Sequence, residues 1–311
     1  MKSLICFALL FVVLLAGACS QSNSPTQIPI PPTAFATNTN TSEPDPAIIE
    51  TSVAEVTPTH TQQSCDEWAG LPVVPAVSER TRALYLNGQS RGNNPRAFSK
   101  IGDGEISTAW FFSMFDLGED YYDLGPYTNL SPAIEHFAGS FERIGLAARR
   151  GFNTHRILDP ALSDPNLCQS GESPLACELR LHRPAYAILS LGTNEVWQPV
   201  EFEQGMRQIL DILLASSVVP ILSTKGDNLE GDHRINRTIA CLAKEYEAPL
   251  WNFWAAIQPL PDQGLQPDLE HLTYGITDFD DERAMQTAWT IRNLTALQVL
   301  DAVWRGVTSQ P

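Results

Sequence analysis

Basic side chains are scarce in this chain. Its 311 residues carry 20 lysines and arginines against 36 aspartates and glutamates, a formal net charge of −16. Such a surface repels phosphate backbones and anionic lipid headgroups, which excludes nucleic acid and direct electrostatic adhesion to a bilayer. Long apolar runs are lacking too: the stretch from Leu4 to Leu15 is too short for a membrane-spanning helix. The six cysteines include no CxxC pair and have no histidine pair nearby, which argues against zinc. Asp278, Asp280 and Asp281 lie close together without the glycine and spacing of a calcium loop. No metal or cofactor is expected, and no internal repeat is present.

What the chain does contain begins with "MKSLICFALLFVVLLAGACS": one lysine, an apolar run, then Ala16, Gly17 and Ala18 before Cys19. Residues 1–18 read as a secretory signal. Small residues directly before a cysteine resemble a bacterial lipoprotein processing site, although Ala16 stands where such sites more often carry leucine. The resemblance implies cleavage before Cys19, lipidation of that cysteine, and a protein held outside the bacterial cell membrane by its acyl chains. Residues 19–64, rich in Pro, Thr, Ser and Asn, have little to bury and read as a disordered tether. Residues 65–311 are long enough for one domain with a large core.

Four cysteines fall in that domain, an even number in an exported chain, and three pairings are open. Cys168 and Cys177 flank a short Gly/Ser/Pro loop and form the preferred pair, leaving Cys65 with Cys241.

Apolar runs alternate with amphipathic stretches. "AFSKIGD", "AYAILSLGTNE", "VVPILSTKGD" and "APLWNFW" read as buried strands, and "GFNTHRIL" as a further one. Phe202, Met206, Ile209, Leu210, Leu213 and Leu214 share one helical face. "ERTRALYLN" and "IEHFAGSFERIGLAARR" also read as helices. A last helix is expected to start near "DFDDERAM", capped by Asp278 or Asp280, with Ala284, Ala288, Ile291 and Leu297 on its core side. The alternation predicts an α/β fold with a mostly parallel sheet. In such sheets ligands bind beyond the carboxyl ends of the strands.

Three strand-end or helix-start segments carry chemistry: "KIGDGEIS", "LSLGTNEVW" and "QPDLEHLT". An aspartate three residues before a histidine can orient the imidazole and stabilise its cation. An asparagine amide at a strand end can donate to a developing oxyanion. Together, in this order, the segments resemble the SGNH, or GDSL, hydrolases. The resemblance implies a flavodoxin-like three-layer sandwich and ester hydrolysis of a small ester or an acylated glycan. It places His271 as base and Asp268 as its orienter. Asn194 and Gly192 form the Gly-x-Asn block, and Gly151 is the candidate for a further backbone donor. Glu195 stands where the family often has aspartate.

The first block departs from the pattern: Gly104 occupies the position of the nucleophilic serine. Gly104 keeps a backbone N–H for the oxyanion and leaves room for water. Ser107, one helical turn on, is an alternative nucleophile, and Ser90, Ser99 and Ser223 are unplaced ones. Asp103 holds the turn in the family and is also a carboxylate that can meet substrate. Trp197 and Lys225 are candidate substrate contacts, Trp197 by stacking on a sugar ring. The alternative to an enzyme is a catalytically silent protein that binds a glycan, cell-wall fragment or protein partner in the same pocket.

Overall fold

The computed structural model describes residues 65–309. The signal segment, Cys19 and the tether lie outside the described residues. Four parallel strands form one sheet: β1 (Asn94–Gly102), β2 (Pro184–Ser190), β3 (Val219–Ser223) and β4 (Leu250–Trp251), in that spatial order. Helices α1 (Glu79–Ser90), α2 (Gly104–Ser107), α3 (Met114–Leu117), α4 (Ser131–Phe137) and α5 (Thr154–Leu158) come from the first part of the chain. They are followed by α6 (Pro174–His182), α7 (Pro199–Ala215), α8 (Arg234–Tyr246), α9 (Phe253–Ile257) and α10 (Ala288–Thr308).

Successive strand residues point to opposite faces of a sheet. Phe98, Tyr186, Ile188, Val219, Ile221 and Trp251 enter one core, with α1, α4, α9 and α10 over them. Ile101, Ala187, Leu189, Leu222 and Leu250 enter the other, under α6, α7 and α8. The result is the expected α/β sandwich of three layers. Phe98 is fully buried, with the rings of Phe112, Phe137 and Phe141 edge-on at 5.2–5.8 Å. Truncating such a ring to alanine costs about 3–5 kcal/mol.

The outer flank of β1 is also paired, by a single parallel bridge between Gly102 and Ala148. Gly102 N–H donates to Ala147 O at 3.0 Å, and Arg149 N–H to Gly102 O at 3.1 Å. With this rudimentary strand counted, the order is that of flavodoxin-like sheets, in which β1 lies at the switch point. The crevice there opens above Gly102.

Three local readings need correction. "GFNTHRIL" forms α5 rather than a strand, because the Asn153 side chain caps a helix there by accepting from Arg156 N–H at 2.9 Å. The fifth pairing segment lies just before it. The helix expected over "IEHFAGSFERIGLAARR" ends at Phe137, where Ala138 turns extended and Gly139 takes φ +87°. The last helix begins at Ala288, not near Asp278. Asp278 accepts from the N–H groups of Asp280 and Asp281, and Asp281 from those of Arg283 and Ala284, so these acids build turns ahead of the helix. Ala284, Ala288 and Leu297 are buried as expected. The disulfides join Cys168 to Cys177 and Cys65 to Cys241.

Candidate active site

A cleft of about 590 Å³ lies over the carboxyl end of β1. Asp103, Gly104, Ser107, Gly151, Asn194 and His271, drawn from four separate segments, all line it.

The histidine segment is a tight turn, with Leu269 in the left-handed region at φ +60°. Asp268 organises it: Oδ1 accepts from the N–H groups of Glu270 and His271, both at 3.0 Å. Asp268 Oδ2 lies 2.8 Å from His271 Nδ1. These bonds, first those from the two backbone N–H groups, hold the Asp268 carboxyl down at about 2. The bond from Asp268 raises the His271 pKa above its ordinary value, and the Glu270 and Glu105 carboxylates add to that. With Nδ1 engaged by the carboxylate, Nε2 is the free basic position, and it has no hydrogen-bond partner among the described residues.

At the end of β1, Gly102 has φ +152°, and a Cβ there would meet Ser190 O at 2.0 Å, so only glycine fits. Asp103 caps the short α2 by accepting from Glu105 N–H at 3.1 Å. Burial, with the Glu105 carboxylate beside it, pushes the Asp103 carboxyl up to about 8. Asp103 therefore holds the turn. Gly104 differs from Gly102: its φ is ordinary, and a Cβ would meet only Arg150 Cγ, at 3.7 Å. Nothing in the fold requires glycine at this position.

The third segment follows β2. Gly192 has φ +124°, and a Cβ there would lie 2.5 Å from Ile235 Cγ2. Asn194 Nδ2 donates to Phe152 O at 2.9 Å, which ties this loop to the one carrying Gly151. Glu195 reinforces the tie, accepting from Thr154 N–H at 3.1 Å and Thr154 Oγ1 at 2.5 Å. It is 1% exposed, so Glu195 is a brace between loops and not a substrate contact. Lys225 is corrected in the same way. Its Nζ is buried and donates to Asp227 Oδ1 at 2.5 Å and Glu230 Oε2 at 2.6 Å. Asp227 in turn accepts from Thr193 Oγ1 at 2.6 Å, so Lys225 supports the cleft wall from behind. Trp197 is 78% exposed and lies outside the cleft lining.

The alternative hydroxyls fall short. Ser107 lines the cleft, but its Oγ points back to Gly104 O at 3.4 Å. Ser99 is buried and donates to Glu178. Ser223 is buried and donates to Thr224 O, and Ser90 donates to Asn87 O at the end of α1.

Sequence reasoning missed Glu105 and its partner. The Glu105 side chain, one-fifth exposed, lines the cleft beside Gly104, with Oε2 3.7 Å from Arg292 Nη1. Arg292 is fully buried among the rings of Phe111, Trp251 and Phe253, centroids 4.6–5.1 Å away, and donates to Ser190 Oγ at 2.9 Å. Burial raises the Glu105 pKa, and the Arg292 guanidinium opposes that rise. The available signal was an arginine on the apolar stripe of the last helix, between Ala288 and Ala296. Trp110 and Tyr274, which also line the cleft, were missed as well.

Comparison with known proteins gives partial likenesses. No protein-family model matches the chain. The thioesterase 1/protease 1/lysophospholipase L1 of Escherichia coli K12 is 31% identical over 110 residues, 33% of this chain and 53% of that protein. The chain thus spans about half the length of the curated relatives it matches. Among solved structures, a GDSL-like lipase from Bacteroides thetaiotaomicron aligns over 71% of this chain and 97% of its own, at 12% identity and TM-score 0.42. A putative lipolytic protein of the G-D-S-L family from Desulfitobacterium hafniense aligns over 66% and 99%, at 9% identity and TM-score 0.42.

Proposed function

We propose that this chain is an SGNH-type ester hydrolase frame from which the serine nucleophile has been lost, leaving slow, water-based hydrolysis of small esters or acylated glycans. One observation carries the reading: the Asp268–His271 pair is intact and shares a cleft with a Gly104 that nothing in the fold demands. The order of the three segments and the 31% identity to a thioesterase/lysophospholipase support it.

In this reading water occupies the space of the absent side chain. His271 Nε2 takes its proton, the resulting hydroxide attacks the ester carbonyl, and His271 returns the proton to the departing alkoxide. Asp268 stabilises the imidazolium. The N–H groups of Gly104 and Gly151 and the Asn194 amide are the donors for the tetrahedral oxyanion. Sites of this kind without their serine retain about 10³–10⁴-fold over the uncatalysed reaction.

A second reading, a silent binding protein, is favoured by one observation: among the described residues no hydroxyl contacts His271 Nε2. Hydrolysis of p-nitrophenyl acetate and butyrate by the parent, Gly104→Ser and His271→Ala separates the two. Slow parental turnover lost in His271→Ala supports the enzyme. An inert parent with His271-dependent turnover in Gly104→Ser supports the silent frame. No turnover in either overturns the hydrolase reading.

Anchoring through a lipidated Cys19 outside the cell membrane belongs to the same proposal, resting on the residues before that cysteine. Cys19→Ser is expected to release the protein from the membrane fraction; retention there would count against it.

A further inference from the structure

The apolar part of the cleft wall is almost entirely aromatic. Trp110, Tyr274 and Trp289 line it, whereas Leu272, its one aliphatic side chain, is 1% exposed. Trp110 and Tyr274 are 43% and 59% exposed, with ring centroids 5.3 Å apart and planes inclined at 52°. They form an open corner at the edge of the cleft. An acyl chain gains most from an aliphatic trough or tunnel, and this lining has none to offer. Two half-exposed aromatic rings beside hydroxyl, amide and charged groups suit a different ligand, one apolar on its flat face and polar around its edge.

The corner is held in place. Asn293, on α10, donates from Nδ2 to Trp110 O at 2.9 Å and accepts at Oδ1 from Phe112 N–H at 3.0 Å. This bracket fixes the backbone on both sides of Phe111. On the other side, Thr273 N–H donates to Gly264 O at 2.8 Å, and Thr273 Oγ1 accepts from Ala288 N–H at 2.9 Å. Two large aromatic side chains thus rest on each other and on anchored backbones, in the cleft that holds His271, with much of their surface left open to solvent.

We propose that Trp110 and Tyr274 form a carbohydrate subsite that stacks a pyranose ring of a neutral, β-linked oligosaccharide beside His271. A β-linked pyranose of gluco or xylo configuration presents axial C–H bonds on its flat faces, which meet an aromatic ring, and equatorial substituents on its rim, which meet polar neighbours. Thr193, Asn194 and Glu270 supply such neighbours on the same lining. The strongly acidic chain disfavours uronic acid or sulfated polymers. The inference deepens the hydrolase-frame reading by naming its substrate class, and it places the sugar contact at Trp110 and Tyr274 instead of Trp197.

The test is calorimetric titration of the full chain without its first 19 residues, which carries the described residues 65–309. The probes are xylotetraose, cellotetraose and N-acetylchitotetraose, with decanoate as the acyl comparison. At least one tetrasaccharide is expected to bind, with affinity falling roughly tenfold or more in Trp110→Ala and Tyr274→Ala and retained in Trp110→Phe. Unfolding temperatures of the variants control for loss of fold. Failure of all three sugars to bind, binding indifferent to Trp110→Ala, or binding of decanoate alone overturns the inference. Gly104→Ser assayed on p-nitrophenyl acetate in parallel separates the two ideas: His271-dependent turnover without sugar binding sinks the subsite and leaves the hydrolase frame standing.

Discussion

The Asp268 carboxylate holds His271 from two sides, accepting its backbone N–H at 3.0 Å through one oxygen and lying 2.8 Å from its Nδ1 through the other. The three-residue spacing allows this together with the left-handed backbone of the intervening Leu269. Both contacts lie within residues 268–271 and use no atom of Gly104.

Its electrostatics set a pH dependence. The bond from Asp268 raises the His271 pKa, and the imidazole must be neutral to accept a proton. Turnover of p-nitrophenyl acetate by Gly104→Ser is therefore expected to fall as pH drops through that raised pKa. Adding Asp268→Asn moves this limb to lower pH and reduces the plateau by about 10⁴. A limb that stays in place in the double variant would show that His271 is not the titrating base.

Asp103 gives a prediction about stability. Its folded pKa is about 8, raised by burial from an ordinary 3.8. Between those values the folded state binds more protons than the unfolded one, so stability from this group falls as pH rises through that window. Asp103→Asn keeps an oxygen to accept from Glu105 N–H and removes the titration. The variant is expected to match the parent below about pH 4 and to unfold at higher temperature than the parent at pH 7–8. Equal melting temperatures across the range would remove this account.

The pairing of Glu105 with Arg292 is asymmetric. Arg292 is wholly buried, whereas Glu105 reaches water. Glu105→Gln strips a buried cation of its counter-charge and is expected to destabilise by about 3 kcal/mol. Arg292→Met replaces that cation with an apolar chain among aromatic rings and leaves a carboxylate that water can solvate, so its cost is expected to be smaller. Urea unfolding of the two variants checks the order, and the reverse order would mean that Arg292 stabilises mainly through its ring contacts.

Much of the fold was legible because buried strands and helix faces write their period into the chain. Phe202 to Leu214 is such a face, and "AYAILS" such a strand. The misreadings share a cause. The segments from Ile134 to Arg150 and from Asp278 to Met285 are helix-compatible locally, but their backbone donors go elsewhere: Arg149 to Gly102, and Asp280 to the Asp278 side chain. In the site, the meeting of Asp268 with His271 and the positions of Gly104, Gly151 and Asn194 on one cleft were legible because they follow from spacing and from where the segments end. Glu195 and Lys225 were not, since a charge at a strand end looks the same whether it faces ligand or braces a loop. Trp110 and Tyr274 meet only in three dimensions, 164 positions apart in the sequence.

The Cys65–Cys241 bond has a mechanical consequence. It joins the first described residue to the middle of α8, across 176 positions of sequence. Tension applied at Cys65 passes through sulfur into α8 and the β3 side of the sheet. It bypasses α1, β1 and the turn at Gly102–Gly104, which lie inside the covalent loop. A load entering at Cys65 therefore reaches α8, whose Asn236 grips the Lys225 backbone behind the cleft wall, without first stretching β1.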